Sequence, residues 1–75
     1  MQADCEVDVR GLNCPLPILR TKKALAGMES GQTLRVLATD PGARQDFPAF
    51  AEQSGNVLLA QTGSGGVFAF VLRRR

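Results

Sequence analysis

Few side chains in this chain can do covalent chemistry near neutral pH. It holds two cysteines, Cys5 and Cys14, and no histidine. Without an imidazole to act as general base, a Cys–His hydrolase or protease is excluded. Two thiols nine positions apart are too few soft ligands for a closed zinc site, and they lack the Cys-x-x-Cys spacing of a dithiol redox pair. No metal and no cofactor is therefore expected. What remains is thiolate chemistry at one sulfur, and the two cysteines sit in very different surroundings. Cys14 lies in Gly11-Leu12-Asn13-Cys14-Pro15-Leu16-Pro17, ahead of a helical pattern, whereas Cys5 lies inside an alternating one.

The two prolines say where the helix begins. With Cys14 as N-cap, Pro15 and Pro17 occupy the first and third helical positions, where an N–H would have no intrahelical partner. They also block backward growth, since another turn would need their N–H groups, so the helix start is pinned at Cys14. The N–H of Leu16 is then the donor left for a Cys14 thiolate to accept. An ordinary thiol is only about a tenth ionised near pH 7.5, and a helix amino terminus favours an anion by roughly 0.3–2 kcal/mol. Arg10 and the basic helix residues are expected to add a weaker, screened contribution. A thiolate of this kind suits sulfur exchange: it attacks a donor persulfide, holds the terminal sulfur and passes it to a second thiol.

The elements around this cysteine follow from periodicity. Residues 5–10 alternate polar and apolar, the signature of a strand with one wet face. Cys5 is in phase with Val7 and Val9, so it is expected to point into the core in a structural role. From Cys14, the residues Ile18, Thr21, Leu25 and Met28 recur at helical spacing, and Gly27 and Ser30-Gly31 supply the stop. Residues 33–39 read as a second strand, parallel to the first across the helical crossover. Asp40-Pro41-Gly42 is a turn, after which Phe47, Phe50, Ala51 and Ser54 share one helical face. Pro48 disfavours helical geometry at Phe47, so this second helix is expected to start between residues 46 and 48, with residues 43–46 as a loop. Residues 57–62 and 67–72 flank the loop Gly63-Ser64-Gly65-Gly66 as an antiparallel hairpin, with Phe68, Phe70 and Leu72 on one face. The order β-α-β-α-β-β predicts an α/β (α+β) two-layer sandwich, a four-stranded mixed sheet with both helices on one face. The other face is left open, with Leu37, Val67 and Val71 as a candidate docking patch.

Composition sets the outer limits. A chain of 75 residues holds one domain, expected to span residues 1–75, and 44% apolar with 21% charged residues is ordinary for a folded protein. No apolar run reaches the length of a membrane span, and the start Met-Gln-Ala-Asp-Cys-Glu has neither part of a signal peptide, so a cytoplasmic protein with free thiols, not inserted in a membrane, is expected. The net charge of +2 is too small to argue for nucleic acid. Asp4, Glu6 and Asp8 precede an acid-free basic stretch with Arg10, Arg20, Lys22 and Lys23. That stretch and the closing Arg73, Arg74 and Arg75 read as a solvated face and tail.

The run Cys14-Pro15-Leu16-Pro17, between the first strand and first helix, resembles the Cys-Pro-x-Pro hallmark of the TusA/SirA sulfur-carrier family. The likeness extends to Asp8-Val9-Arg10-Gly11-Leu12-Asn13, to residues 18–25, to Glu29-Ser30-Gly31-Gln32-Thr33-Leu34, to Asp40-Pro41 and to Asp46-Phe47-Pro48-Ala49-Phe50. The resemblance implies a sulfurtransferase-type carrier whose cysteine, here Cys14, accepts sulfane sulfur from a cysteine desulfurase or rhodanese and relays it to an acceptor protein, with Gly11, Pro15, Leu16 and Pro17 supporting the motif. Family destinations include tRNA thiolation, molybdenum-cofactor assembly and sulfur oxidation, and Leu16, where some members carry an acid, selects none of them. A monomer without direct nucleic-acid binding is expected. Two other readings compete: a non-catalytic basic module for RNA or an acidic protein, for which only four phenylalanines are on hand to stack bases, and a peroxide-sensing thiol resolved by Cys5, disfavoured by the inward phase of Cys5.

Overall fold

A computed structural model describes residues 3–75. The elements run β1 (Cys5–Val9), α1 (Leu16–Ala26), β2 (Thr33–Ala38), α2 (Ala43–Ser54), β3 (Val57–Ser64) and β4 (Val67–Arg73). β1 pairs parallel with β2, β2 antiparallel with β4, and β4 antiparallel with β3, giving the mixed sheet order β1-β2-β4-β3. The β3–β4 hairpin is longer than its sequence pattern. Ser64 pairs with Val67, so only Gly65 and Gly66 turn the chain, at φ of 59° and 81°. Two successive positive φ angles are what a two-residue type I′ turn requires, and glycine adopts them without a Cβ penalty.

One side of the sheet carries the core. Val9, Leu34, Val36, Phe70 and Leu72 are fully buried in one cluster with Leu25 of α1 and Phe47 and Phe50 of α2, so both helices cover the same face. The ring of Phe47 stacks on that of Phe70 with centroids 4.4 Å apart. Thr21 is buried as well, and its hydroxyl donates to the Pro17 carbonyl at 2.8 Å, which satisfies its polarity within α1. On the other face Glu6 and Arg35 are register partners across β1 and β2 and form an exposed ion pair of 2.9 Å. The expected apolar patch is weaker than its sequence suggests. Val71 is buried, and Leu37 and Val67 are half-buried by their strand neighbours.

Four expectations are corrected. α2 begins at Ala43, so residues 43–46 are helical and Pro48 lies inside the helix. Full burial of Phe47 against Phe70 outweighs the local preference of a residue before proline. The carbonyl of Arg44, which a residue-48 N–H would otherwise have met, accepts instead from the side-chain amide of Gln61 at 3.2 Å. Cys5 is exposed, not buried, because it opens an edge strand where inward phase brings no covering helix. Arg74 is no solvated tail: it is half-buried, and its Nε donates to the Leu25 carbonyl at 2.7 Å, capping the carboxyl end of α1 with a cation. The start of α1 also differs, and that difference belongs to the site.

Candidate functional site

The loop from β1 to α1 is tied down at several points. The Asp8 carboxylate accepts from the Arg10 backbone N–H at 3.0 Å and from its guanidinium at 2.9 and 2.7 Å. The Arg10 side-chain hydrogen bonds, foremost, hold the Asp8 carboxyl down at about 2, and the same pairing pushes Arg10 up. Gly11 follows at φ +81°, a conformation that favours glycine, and its N–H donates to the Thr39 hydroxyl just beyond β2 at 2.9 Å. The Leu12 N–H returns to the Val9 carbonyl at 3.2 Å. Cys14 then emerges exposed, ahead of a cis Cys14–Pro15 peptide bond.

The prolines do mark the helix start, one residue later than the spacing suggested. Pro15 is the N-cap, its carbonyl taking the Leu19 N–H at 3.1 Å, and Pro17 is the second helical residue. Both still occupy positions whose N–H would have been an orphan. The Leu16 N–H, expected to reach the Cys14 sulfur, donates to the Asn13 carbonyl at 2.9 Å, and no side chain caps the helix. With the helix starting one residue later, Cys14 is not its N-cap, and the loop carbonyl of Asn13 takes this N–H instead. Arg10 is not the cation expected at the thiol either, since its charge is matched by Asp8.

Cys14 lines a shallow groove of about 330 Å³ between the two helices. On its own side the groove is formed by Pro15, Ile18 and Lys22; across it stand Asp46, Ala49, Phe50 and Gln53 of α2. The Lys22 Nζ sits 6.0 Å from the Phe50 ring centroid. This α2 wall escaped the sequence reading, although positions 46, 49, 50 and 53 have the spacing of one helical face. Of the other motif residues, Pro17 is buried and Gly11 lies in the loop. Leu16 and Leu19 are 44% and 50% exposed, one turn apart on α1, leaving two large apolar side chains in solvent near the thiol.

Cys5 is not part of this site. It lies at the amino end of β1 and Cys14 beyond its carboxyl end, with about 13 Å of strand rise between Cys5 and Val9. Disulfide geometry needs Cα atoms within about 7 Å. An intramolecular Cys5–Cys14 bridge is therefore disfavoured by separation, the expected burial of Cys5 having failed. Among the described residues no cluster of three His, Cys, Asp or Glu side chains is placed to hold a metal, and no helix is long and apolar enough to cross a membrane.

A two-layer α/β sandwich with an exposed thiol ahead of its first helix defines a class of small thiol proteins, and comparison with known proteins narrows it. The family model described as Sulfurtransferase TusA matches residues 5–74. The chain belongs to the TusA family. It is 56% identical over 71 residues to the sulfur carrier protein TusA of Allochromatium vinosum, covering 95% of this chain and 93% of that one. It is 36% identical over 72 residues to the sulfur carrier protein TusA of Pseudomonas putida, covering 96% and 90%. The crystal structure of a SirA-like protein from Desulfitobacterium hafniense superposes with a TM-score of 0.80 at 31% identity, over 92% of this chain and 95% of that one.

Proposed function

We propose that this chain is a sulfur carrier in which Cys14 holds sulfane sulfur as a persulfide between a donor protein and an acceptor protein, residues 1–75 acting as one unit in the cytoplasm. The observation that carries this reading is the exposed Cys14 thiol, presented on a hydrogen-bonded loop at the rim of an open groove. The Cys14 thiolate attacks the terminal sulfur of a donor persulfide. A new S–S bond forms at Cys14, the donor's S–S bond breaks, and the electron pair leaves on the donor's thiolate. Delivery repeats the step with an acceptor thiolate as nucleophile and Cys14 as leaving group. Neither step needs an oxidant, a metal or a histidine. An open rim suits this exchange, because the reacting sulfur on each side belongs to another protein, and the exposed Leu16 and Leu19 offer apolar surface for such a partner. Donors of the cysteine desulfurase or rhodanese type supply the required persulfide, and the acceptor decides the destination.

Intact-mass spectrometry after incubation with a cysteine desulfurase and cysteine tests the assignment. One sulfur atom is expected on the wild-type protein and on Cys5→Ser, and none on Cys14→Ser. Because Cys5 is exposed, the Cys5→Ser arm is decisive: loading that follows Cys5 moves the site to the other end of β1.

A further inference from the structure

The groove at Cys14 does not end at Lys22. A second depression of about 280 Å³ continues between α1 and α2, shares Lys22 and Phe50 with the first, and is bounded at its far end by Arg74 and Arg75. One trough thus runs from the thiol, over the nearly buried Phe50, to a cluster of three cations. Its charge is polarised. Asp46 stands at the Cys14 end, while no Asp or Glu side chain lines the far depression. Among the described residues two ion pairs form, Asp8–Arg10 and Glu6–Arg35, so Lys22, Arg74 and Arg75 are paired with no Asp or Glu side chain there. The Arg74 side chain donates to the Leu25 carbonyl and to a backbone oxygen of Arg75, so the Lys22 ammonium and the Arg75 guanidinium are the cations freest to meet a ligand.

We propose that this trough seats an extended acidic segment of the protein that exchanges sulfur with Cys14, an inference that rests on the carrier reading above. The partner's cysteine lies at the Asp46 end, and its carboxylates meet Lys22, Arg74 and Arg75. The spacing follows from helix geometry. α1 rises about 9 Å from Leu16 to Lys22, which an extended chain covers in about three residues. Cys14 lies ahead of Leu16, so the partner's acids begin at least about three positions from its reactive cysteine. Asp46 sets the direction by repelling those acids from the thiol end, and the unmatched cations speed encounter in a salt-dependent way. Nucleic acid fits less well, because the aromatic floor, Phe50, is 8% exposed and offers no face on which to stack a base.

Two synthetic peptides test this, each carrying one cysteine activated as a thionitrobenzoate disulfide. One has glutamates starting three residues from the cysteine, and the other has glutamines there. The rate of mixed-disulfide formation at Cys14 is measured in Cys5→Ser and divided by the rate with a small neutral disulfide, which removes any change in thiol reactivity or folding. The acidic peptide is expected to react about tenfold faster at low salt, with the advantage fading as salt rises. Lys22→Gln and Arg75→Gln are each expected to cut the advantage two- to fivefold, and Arg35→Gln, on the opposite face of the sheet, to leave it intact. Equal rates for the two peptides, or an advantage untouched by Lys22→Gln and Arg75→Gln, overturns the proposal. So does protection of Cys14 by a short single-stranded RNA with no preference for the acidic peptide. Sulfur loading from a desulfurase is scored separately: a clear acidic preference without loading removes the carrier reading and leaves the acidic-segment site standing.

Discussion

At the scale of single residues, the Asp8–Arg10 pair shows how an exposed contact near a site acts through pH. The folded Asp8 carboxyl is held at about 2, below its ordinary value of 3.8, first by the Arg10 side-chain hydrogen bonds. Its stabilising contribution is thus present above pH 3.8 and is lost as pH falls through about 2. Asp8→Asn is expected to lower the urea midpoint near neutral pH, with the gap to wild type closing by about pH 2 and narrowing in high salt, because the pair is exposed. An unchanged gap across that range places the pair's effect elsewhere. The residue scale is also where sequence legibility was most uneven. Cys14 stood out because its prolines and the lack of histidine are written in the chain. Cys5 misled because alternation gives the side of the sheet, not whether a helix reaches that end of an edge strand. The Leu16 N–H misled for a related reason: the carbonyl that takes it comes from a loop conformation that no spacing encodes.

At the scale of elements, long periodic segments were legible and their ends were not. The order β-α-β-α-β-β and the shared face of Phe68, Phe70 and Leu72 follow from local pattern, and both recur in the fold. The start of α2 does not, since it depends on Phe47 finding Phe70 and on Gln61 finding the Arg44 carbonyl, contacts between distant parts of the chain. That account has a measurable consequence. Gln61→Ala is expected to cost about 0.5–1 kcal/mol. In a Pro48→Ala background, where residue 48 supplies its own N–H to the Arg44 carbonyl, the same change is expected to cost less. A double-mutant cycle in urea reads the difference as a coupling energy, and strict additivity contradicts the compensation. The α2 wall of the Cys14 groove belongs here too, because which helix faces the thiol is decided by packing.

At the scale of the whole molecule, a chain of 75 residues is expected to have about 4–11 kcal/mol of stability, so its largest core contact is a large share of the total. Phe47→Ala is expected to cost about 3–5 kcal/mol and to leave the protein close to unfolding, as followed by circular dichroism in urea; a loss below about 1 kcal/mol contradicts the stacked Phe47–Phe70 pair as the centre of the core. On the proposed reading, the small folded body presents one sulfur, on a tethered loop beside a helical trough, to a donor and an acceptor protein. The most direct check is a single-turnover chase. The protein is loaded with isotopically labelled sulfur by a desulfurase, separated from it, and mixed with an excess of an acceptor thiol. The label is predicted to sit on Cys14 after loading and to leave as the acceptor's persulfide, returning the protein to its unmodified mass. Label found on Cys5, or retained on Cys14 after the chase, would contradict a Cys14 carrier.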